Sequence, residues 1–163
     1  MVSGLKLFDL NGKTALITGS SQGIGYALAK GLADAGSDII LNGRNTEKLK
    51  QSAEAINTKQ NIFQLCFDVT NYEQTKRSID KFEKDINPID ILINNAGMQF
   101  RTPLEDFPPE MFEQLLKTNI SSVFNVSQVV AKYMIKRGEG KIINIASVQT
   151  ALARPGIAPY TAT

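Results

Sequence analysis

The stretch "KTALITGSSQGIGYALAKGLADAG" (13–36) holds, in immediate succession, a short apolar run, a glycine-rich turn and a helical period. "KTALITG" (13–19) is apolar and ended by glycine, which predicts a buried strand. "GYALAKGLADAG" (25–36) spaces its apolar residues as a helix does and closes on Gly36, a helix-stop signal. The turn between them, "TGSSQGIG" (18–25), carries glycines spaced G-x-x-x-G-x-G at Gly19, Gly23 and Gly25. Gly19 permits a tight turn off the strand, Gly23 a close approach of backbone to a pyrophosphate, and Gly25 close packing of the helix on the strand. Backbone N–H groups at a helix start bind anions well. Gly19, Ser21, Gln22, Gly23, Ile24 and Gly25 are therefore the expected phosphate cradle. A glycine-rich turn with no ligand is the competing reading, and the strand–turn–helix placement weighs against it.

Outward from this unit the pattern repeats. "DIILNGR" (38–44), "NIFQLCFDVT" (61–70), "IDILINNAG" (89–97) and "KIINIAS" (141–147) read as further strands. Helical segments lie between them: "NTEKLKQSAEAINTK" (45–59), with Thr46 a candidate N-cap, "NYEQTKRSIDKFEKDI" (71–86), and a long helix over 108–138 with prolines at its start and Gly138 after its end. Strands apolar nearly throughout, alternating with helices, predict one α/β domain over 1–163: a doubly wound parallel sheet with helices on both faces. Such sheets hold ligands at the carboxyl ends of their strands, so the residues after each strand are the candidates.

Composition narrows the partners. The 163 residues are 42% hydrophobic and 21% charged, with a net charge of +2, too near neutral to predict a nucleic-acid partner. No window approaches the ~18 apolar residues that span a bilayer, and "MVSGLKLFDLNGK" lacks the apolar core of a secretory leader. One cysteine, Cys66, excludes an internal disulfide, fits a reducing, cytoplasmic setting, and is expected in the core of its strand. The chain has no histidine. That excludes a Ser-His-Asp triad and argues against a catalytic zinc, so no metal site is expected and acid–base work falls to Tyr, Lys, Asp or Glu.

The end of the second strand selects the cofactor. NAD sites place a carboxylate there for the ribose hydroxyls. Here "LNGRN" offers Asn42, Gly43 and Arg44. The Arg44 guanidinium suits a 2′-phosphate, so NADP is expected over NAD, although a solvated surface arginine would look the same. After the third strand, Asp68 can accept from an adenine amino group with Val69 against the ring, or Asp68 can cap the following helix.

Beyond the glycine loop, "NNAG" (94–97), Asn119 in "KTNI", Ser147 in "NIASV" and Tyr160 thirteen residues later match, in order and spacing, the short-chain dehydrogenases/reductases, and the chain resembles that family over essentially its whole length. The resemblance implies a Rossmann fold, with Asn119, Ser147 and Tyr160 as the catalytic Asn, Ser and Tyr. It also implies that Asn94 and the backbone of Asn95, Ala96 and Gly97 pack against the cofactor, and that Asn119 interrupts its helix locally. Tyr160 would exchange a proton with the substrate oxygen and Ser147 would orient that oxygen. Since a free phenol ionises near pH ~10, such a tyrosine needs a cation close by. The family's lysine would fall immediately after Thr163. The same comparison implies further strands and helices beyond that point, a sheet incomplete at its C-terminus, and little or no activity for the chain as it stands. Two other Tyr-x-x-x-Lys runs, Tyr26–Lys30 and Tyr72–Lys76, lack a cooperating serine and read as ordinary helix pairs.

The loops "MQFRTP" and "VQTALARPG" resemble those of sugar-acid dehydrogenases. Arg101 and Arg154 are candidates for a carboxylate, and Gln99 and Gln149 for hydroxyls. A 3-oxoacyl thioester reductase of the same family, or a nucleotide-binding fragment without turnover, are the alternatives. The resemblance further implies a homo-oligomer, dimer or tetramer, with part of the long helix facing a second subunit.

Overall fold

The computed structural model describes residues 4–152 and 154–163. Five strands, β1 (Thr14–Ile17), β2 (Asp38–Gly43), β3 (Ile62–Cys66), β4 (Ile91–Asn94) and β5 (Lys141–Asn144), form one sheet in the order β3-β2-β1-β4-β5. Every pairing is parallel, with Leu16 opposite Ile40 on one side and Leu92 on the other. Helices α1 (Gly23–Asp34), α2 (Thr46–Ala55), α3 (Tyr72–Asp85), α4 (Pro109–Leu116), α5 (Ser122–Arg137) and the short α6 (Ala158–Thr161) follow the strands.

Strand periodicity divides the core into two layers, because successive side chains point to opposite faces. Ala15, Ile17, Ile39, Leu41, Ile91 and Ile93 pack with Ala29 and Ala33 of α1 and Leu49 of α2. Leu16, Ile40 and Leu92 pack on the other face with Ile79 and Phe82 of α3 and Val126, Val129, Val130 and Met134 of α5. The doubly wound parallel sheet read from sequence is the fold observed.

Several boundaries move, for local reasons. β3 stops at Cys66 because the Asp68 carboxylate accepts from the N–H and hydroxyl of Thr70, both at 2.8 Å, and turns the chain. Asp68 does not cap α3. Asn71 does, accepting from Gln74 N at 3.0 Å, and Asn45 rather than Thr46 caps α2, accepting from Lys48 N at 2.9 Å. Cys66 is exposed, not in the core: β3 is an edge strand, and the thiol accepts from Thr46 Oγ1 at 3.3 Å. Two lysines of the Tyr-x-x-x-Lys runs, Lys30 and Lys76, pair with Asp34 and Asp80 one turn on.

The seam between α3 and α5 holds a polar cluster. Tyr133 donates to Asp80 at 2.8 Å. Burial first, then this bond, raises the phenol's pKa to about 12. For Asp80, burial pushes the carboxyl up, but the bonds from Lys76 and Tyr133 outweigh it and the net direction is down. Nearby, the Glu83 carboxylate accepts from Ile89 N at 3.0 Å and pairs with Arg137 at 2.7 Å, fixing the turn that leads into β4.

Candidate active site

β1 has β2 on one side and β4 on the other, so the chain leaves the sheet in opposite directions at the ends of β1 and β4, and a cleft opens there. The cleft comprises two hollows of about 390 Å³ and about 450 Å³ that share Asn95, Gly97 and Met98.

The first hollow lies over the glycine loop. Gly19 adopts φ +63°, and a Cβ on it would lie 2.9 Å from Ala96 Cα, so the turn admits glycine alone. A Cβ on Gly25 would lie 2.5 Å from Gly19 O and 2.6 Å from Asn95 Nδ2; α1 is seated on the loop with no room for a methyl. The α1 N-terminus points into the same region without competition. Gln22, at the N-cap, makes no side-chain cap bond, and the first turn holds no acid. Its first N–H groups therefore lack intrahelical acceptors, which is the donor set an anion takes.

Gly19, Ser21, Gln22, Gly23, Arg44, Asp68, Val69, Asn95, Ala96 and Gly97 all line this hollow. Ile24 lines the neighbouring one, and Gly25 is buried beneath. No carboxylate ends β2. Asn42 occupies that point, 1% exposed, accepting from Gly19 N at 3.3 Å and donating to Leu65 O and Phe67 O at 3.1 and 3.2 Å. It is a strut joining β1, β2 and β3, and Arg44 is exposed beyond it.

The loop after β4 is tied to the glycine loop by Thr18. Its Oγ1 accepts from Asn95 N at 2.9 Å and Ala96 N at 3.0 Å. The Asn95 amide in turn donates to Thr18 O at 3.0 Å and Gly19 O at 3.3 Å. Asn94 lies elsewhere than expected from the resemblance. It is buried beneath the cleft, with its amide donating to Ser127 Oγ and Asn144 Oδ1, both at 2.8 Å, so it braces β4 against β5 and α5.

The second hollow gathers Asn119, Ser147 and Tyr160, with Gln99, Gln149 and Thr163. Three separate elements deliver the first three. Asn119 lies in a π-helical turn, Lys117–Ser121, that splits the expected long helix into α4 and α5. Such turns are rare and are frequent at functional sites. Here the Asn119 amide clamps the Met98 backbone, accepting from its N–H at 2.9 Å and donating to its carbonyl at 3.0 Å, and also donates to Thr163 Oγ1 at 2.9 Å. Ser147 follows β5 and caps a 3₁₀ turn, its Oγ accepting from Gln149 N at 3.2 Å. That leaves the hydroxyl proton available to an acceptor in the cavity. Tyr160 enters on α6.

None of the described residues that line this hollow has a charged side chain. Arg101 and Arg154 are exposed and do not line it; Ala153, in the loop beside Arg154, lies outside the described residues. Sequence reasoning left Thr18 and Asn42 without roles. A polar residue at the end of an apolar strand was the signal for both, since a buried polar group needs its bonds made inside. Met98, at the start of the "MQFRTP" loop, lines the cleft as expected, and Thr118 and Ile145 line it unforeseen.

A parallel sheet opening at its switch point over a close-packed glycine turn defines the class of dinucleotide-binding α/β proteins, and Ser147 and Tyr160 line the adjoining hollow. Residues 13–163 match the short chain dehydrogenase family, and the chain belongs to it. It is 52% identical over 160 residues to gluconate 5-dehydrogenase of Gluconobacter oxydans (strain 621H), covering 96% of this chain and 62% of that protein. It is 42% identical over 158 residues to 5-keto-D-gluconate 5-reductase of Escherichia coli (strain K12), again 96% and 62%. Among solved structures, a gluconate 5-dehydrogenase from Burkholderia cenocepacia J2315 in complex with NADP and tartrate superposes with a TM-score of 0.91 at 48% identity, over 98% of this chain and 63% of that one. The chain thus spans about 62% of the length of the curated relatives it matches. Among the described residues, no helix is long and apolar enough to cross a membrane, and no cluster of three metal-ligating side chains occurs.

Proposed function

We propose that this chain carries the cofactor site and proton-transfer groups of an NADP(H)-dependent oxidoreductase that interconverts a sugar acid and its keto acid, of the gluconate and 5-ketogluconate type. The observation that carries the reading is that Asn119, Ser147 and Tyr160, brought from three elements, line one cavity continuous with the glycine-loop hollow. The relatives named for that reaction support the substrate class. NADP is supported by the gluconate 5-dehydrogenase solved with it, by Arg44 at the rim, and by a β2 end that offers no acid to ribose hydroxyls.

The cofactor supplies a hydride to the carbonyl carbon, or accepts one from the alcohol carbon. The proton and the orientation of the substrate oxygen come from this chain's own hydroxyl groups. Tyr160 gives its proton to the carbonyl oxygen as the new C–H bond forms, and takes it back in the oxidising direction. Ser147, its Oγ already accepting from Gln149 N, donates to the same oxygen and orients it. Asn119 holds the Met98 backbone, and with it the floor between the two hollows. A homo-oligomer is supported by the exposed Phe124 and Ile135 on α5.

The test pairs cofactor titration with turnover of D-gluconate, 5-ketogluconate and a 3-oxoacyl thioester, in the protein as its gene encodes it. Expected are tighter NADPH than NADH binding, loss of that preference in Arg44→Ala, and hydride transfer with the sugar acids. Turnover of the thioester alone would assign the reductase alternative, and an Arg44→Ala variant with unchanged preference would remove the argument for NADP.

A further inference from the structure

In an α-helix the N–H of Ser122 would donate to the carbonyl of Thr118, four residues back. Here it donates to Lys117 O, one carbonyl further, as a π turn requires. Thr118 O thereby loses its regular donor. The side chain of the same residue supplies another: Ser122 Oγ donates to Thr118 O at 2.6 Å, and Ser122 is only 2% exposed. In an ordinary helix a serine hydroxyl at this position shares the carbonyl with an N–H already there. At this turn the hydroxyl stands in for an N–H that has moved away, and a carbonyl packed inside needs such a donor.

We infer that Ser122 is a positioning residue of the cleft: by pairing Thr118 O, its hydroxyl lets the π turn stay open and so holds Asn119 on the Met98 backbone. This rests on the dinucleotide reading of the cleft and deepens it. The two bonds from Asn119 to Met98, at 2.9 and 3.0 Å, pull the turn open from across the cleft, and Ser122 leaves no carbonyl unpaired when it opens. Without the hydroxyl, Thr118 O regains a donor by closing the turn onto the Ser122 N–H. Removing the extra residue from the turn would swing the segment ahead of α5 by up to about 100° about the helix axis, and Asn119 would leave Met98. Both hollows feel that change, because Thr118 lines the glycine-loop hollow, Asn119 the neighbouring one, and Met98 lines both.

The experiment follows the Met98 N–H by hydrogen exchange and the cofactor by NADPH fluorescence titration, in the protein as its gene encodes it. Ser122→Ala should speed exchange at Met98 about fivefold or more, in excess of any change at the β1 amides of Leu16 and Ile17, which a merely structural loss would move as well. It should weaken NADPH about five- to tenfold, yet add less than about twofold when Asn119 is already alanine, because both substitutions break the same link. Ser122→Thr keeps the hydroxyl and should protect Met98; Ser122→Val has the same shape without a donor and should not. Unchanged Met98 exchange in Ser122→Ala, losses that multiply in the double variant, or equal behaviour of the threonine and valine variants would overturn the inference. Should Ser122→Ala not fold, the threonine–valine comparison decides alone. Exchange at Met98 needs no ligand, so a protein that shows the expected exchange and binds no NADPH would sink the proposed function and leave Ser122's role standing.

Discussion

Replacing Gly25 and Gly31 by alanine should move stability in opposite directions, although both glycines lie in α1 and both acquire the same methyl group. At Gly31 the new Cβ meets nothing within 4 Å. There only the intrinsic preference of a helix for alanine acts, a gain of roughly 0.5–1 kcal/mol. At Gly25 the Cβ would fall 2.5 Å from Gly19 O, 2.6 Å from Asn95 Nδ2 and 2.9 Å from Ser20 Cα. Two of these are backbone atoms, and the third is an amide held by Thr18 O and Gly19 O. Neither side yields without breaking those bonds or lifting α1 off the loop. Overpacking costs about 1–3 kcal/mol and each bond lost about 1 kcal/mol more. The helix preference offsets a fraction, leaving a net loss of about 2–4 kcal/mol.

For a chain of this size that is a fall in melting temperature of roughly 5–15 °C for Gly25→Ala, against a rise of about 1–4 °C for Gly31→Ala. Circular-dichroism melts read both. NADPH fluorescence titration provides the second readout: displacement of the loop should weaken binding by about tenfold or more in Gly25→Ala, and Gly31→Ala should bind as wild type does. A Gly25→Ala protein melting within about 1 °C of wild type, or the two variants shifting the same way, would refute the claim that the loop is close-packed for its ligand.

Two other outcomes follow from bonds elsewhere in the fold. Asn42→Asp sets a carboxylate against the Leu65 and Phe67 carbonyls and removes both donors; urea denaturation should show a loss of about 3–5 kcal/mol, with no gain in NADH preference, because the acid would be spent inside the sheet. Tyr133→Phe removes the bond to Asp80 and should cost about 1–2 kcal/mol near neutral pH; the folded protein raises the phenol's pKa from 10.0 to about 12. That contribution is complete below pH ~10 and is lost as pH climbs through about 12, so wild type and variant should converge in stability across that alkaline window and nowhere below it. Convergence already at pH 8 would refute the assignment.

The sheet was legible because its signals are local. A buried parallel strand needs a continuous apolar run, and "TALI", "DIIL" and "ILIN" supply it. The glycine loop was legible because a turn this tight has few solutions in side-chain chemistry. Cys66 was misjudged because the sequence of β3 does not say whether the strand lies at the centre or the edge of its sheet; only the order β3-β2-β1-β4-β5 does. Helix caps stayed open in the sequence, since Asn45 and Thr46, or Asp68 and Asn71, are equally able to cap, and the backbone path chooses Asn45 and Asn71. The π turn left no trace in composition, because its cause lies across the cleft: Asn119 bonds to the backbone of Met98, 21 residues away in sequence.

That last case identifies what sequence patterns omit at this site as a class. Thr18, Asn42, Asn95 and Asn119 all make side-chain bonds to backbone on another element, and each joins two of the segments that line the cleft. Loops at the ends of parallel strands have no ladder to fix them, and their N–H and C=O groups still need partners once buried. Short side chains that can accept and donate supply those partners over the 2.9–3.3 Å seen here. A cleft built this way is rigid before any ligand arrives, because the same bonds that satisfy the loop backbone also set the distance between the glycine turn and the Ser147–Tyr160 pocket. Mutating any one of the four should therefore disturb dinucleotide affinity and thermal stability together, whereas a change at Arg44, which touches no such bond, should alter cofactor choice and leave the melting temperature where it was.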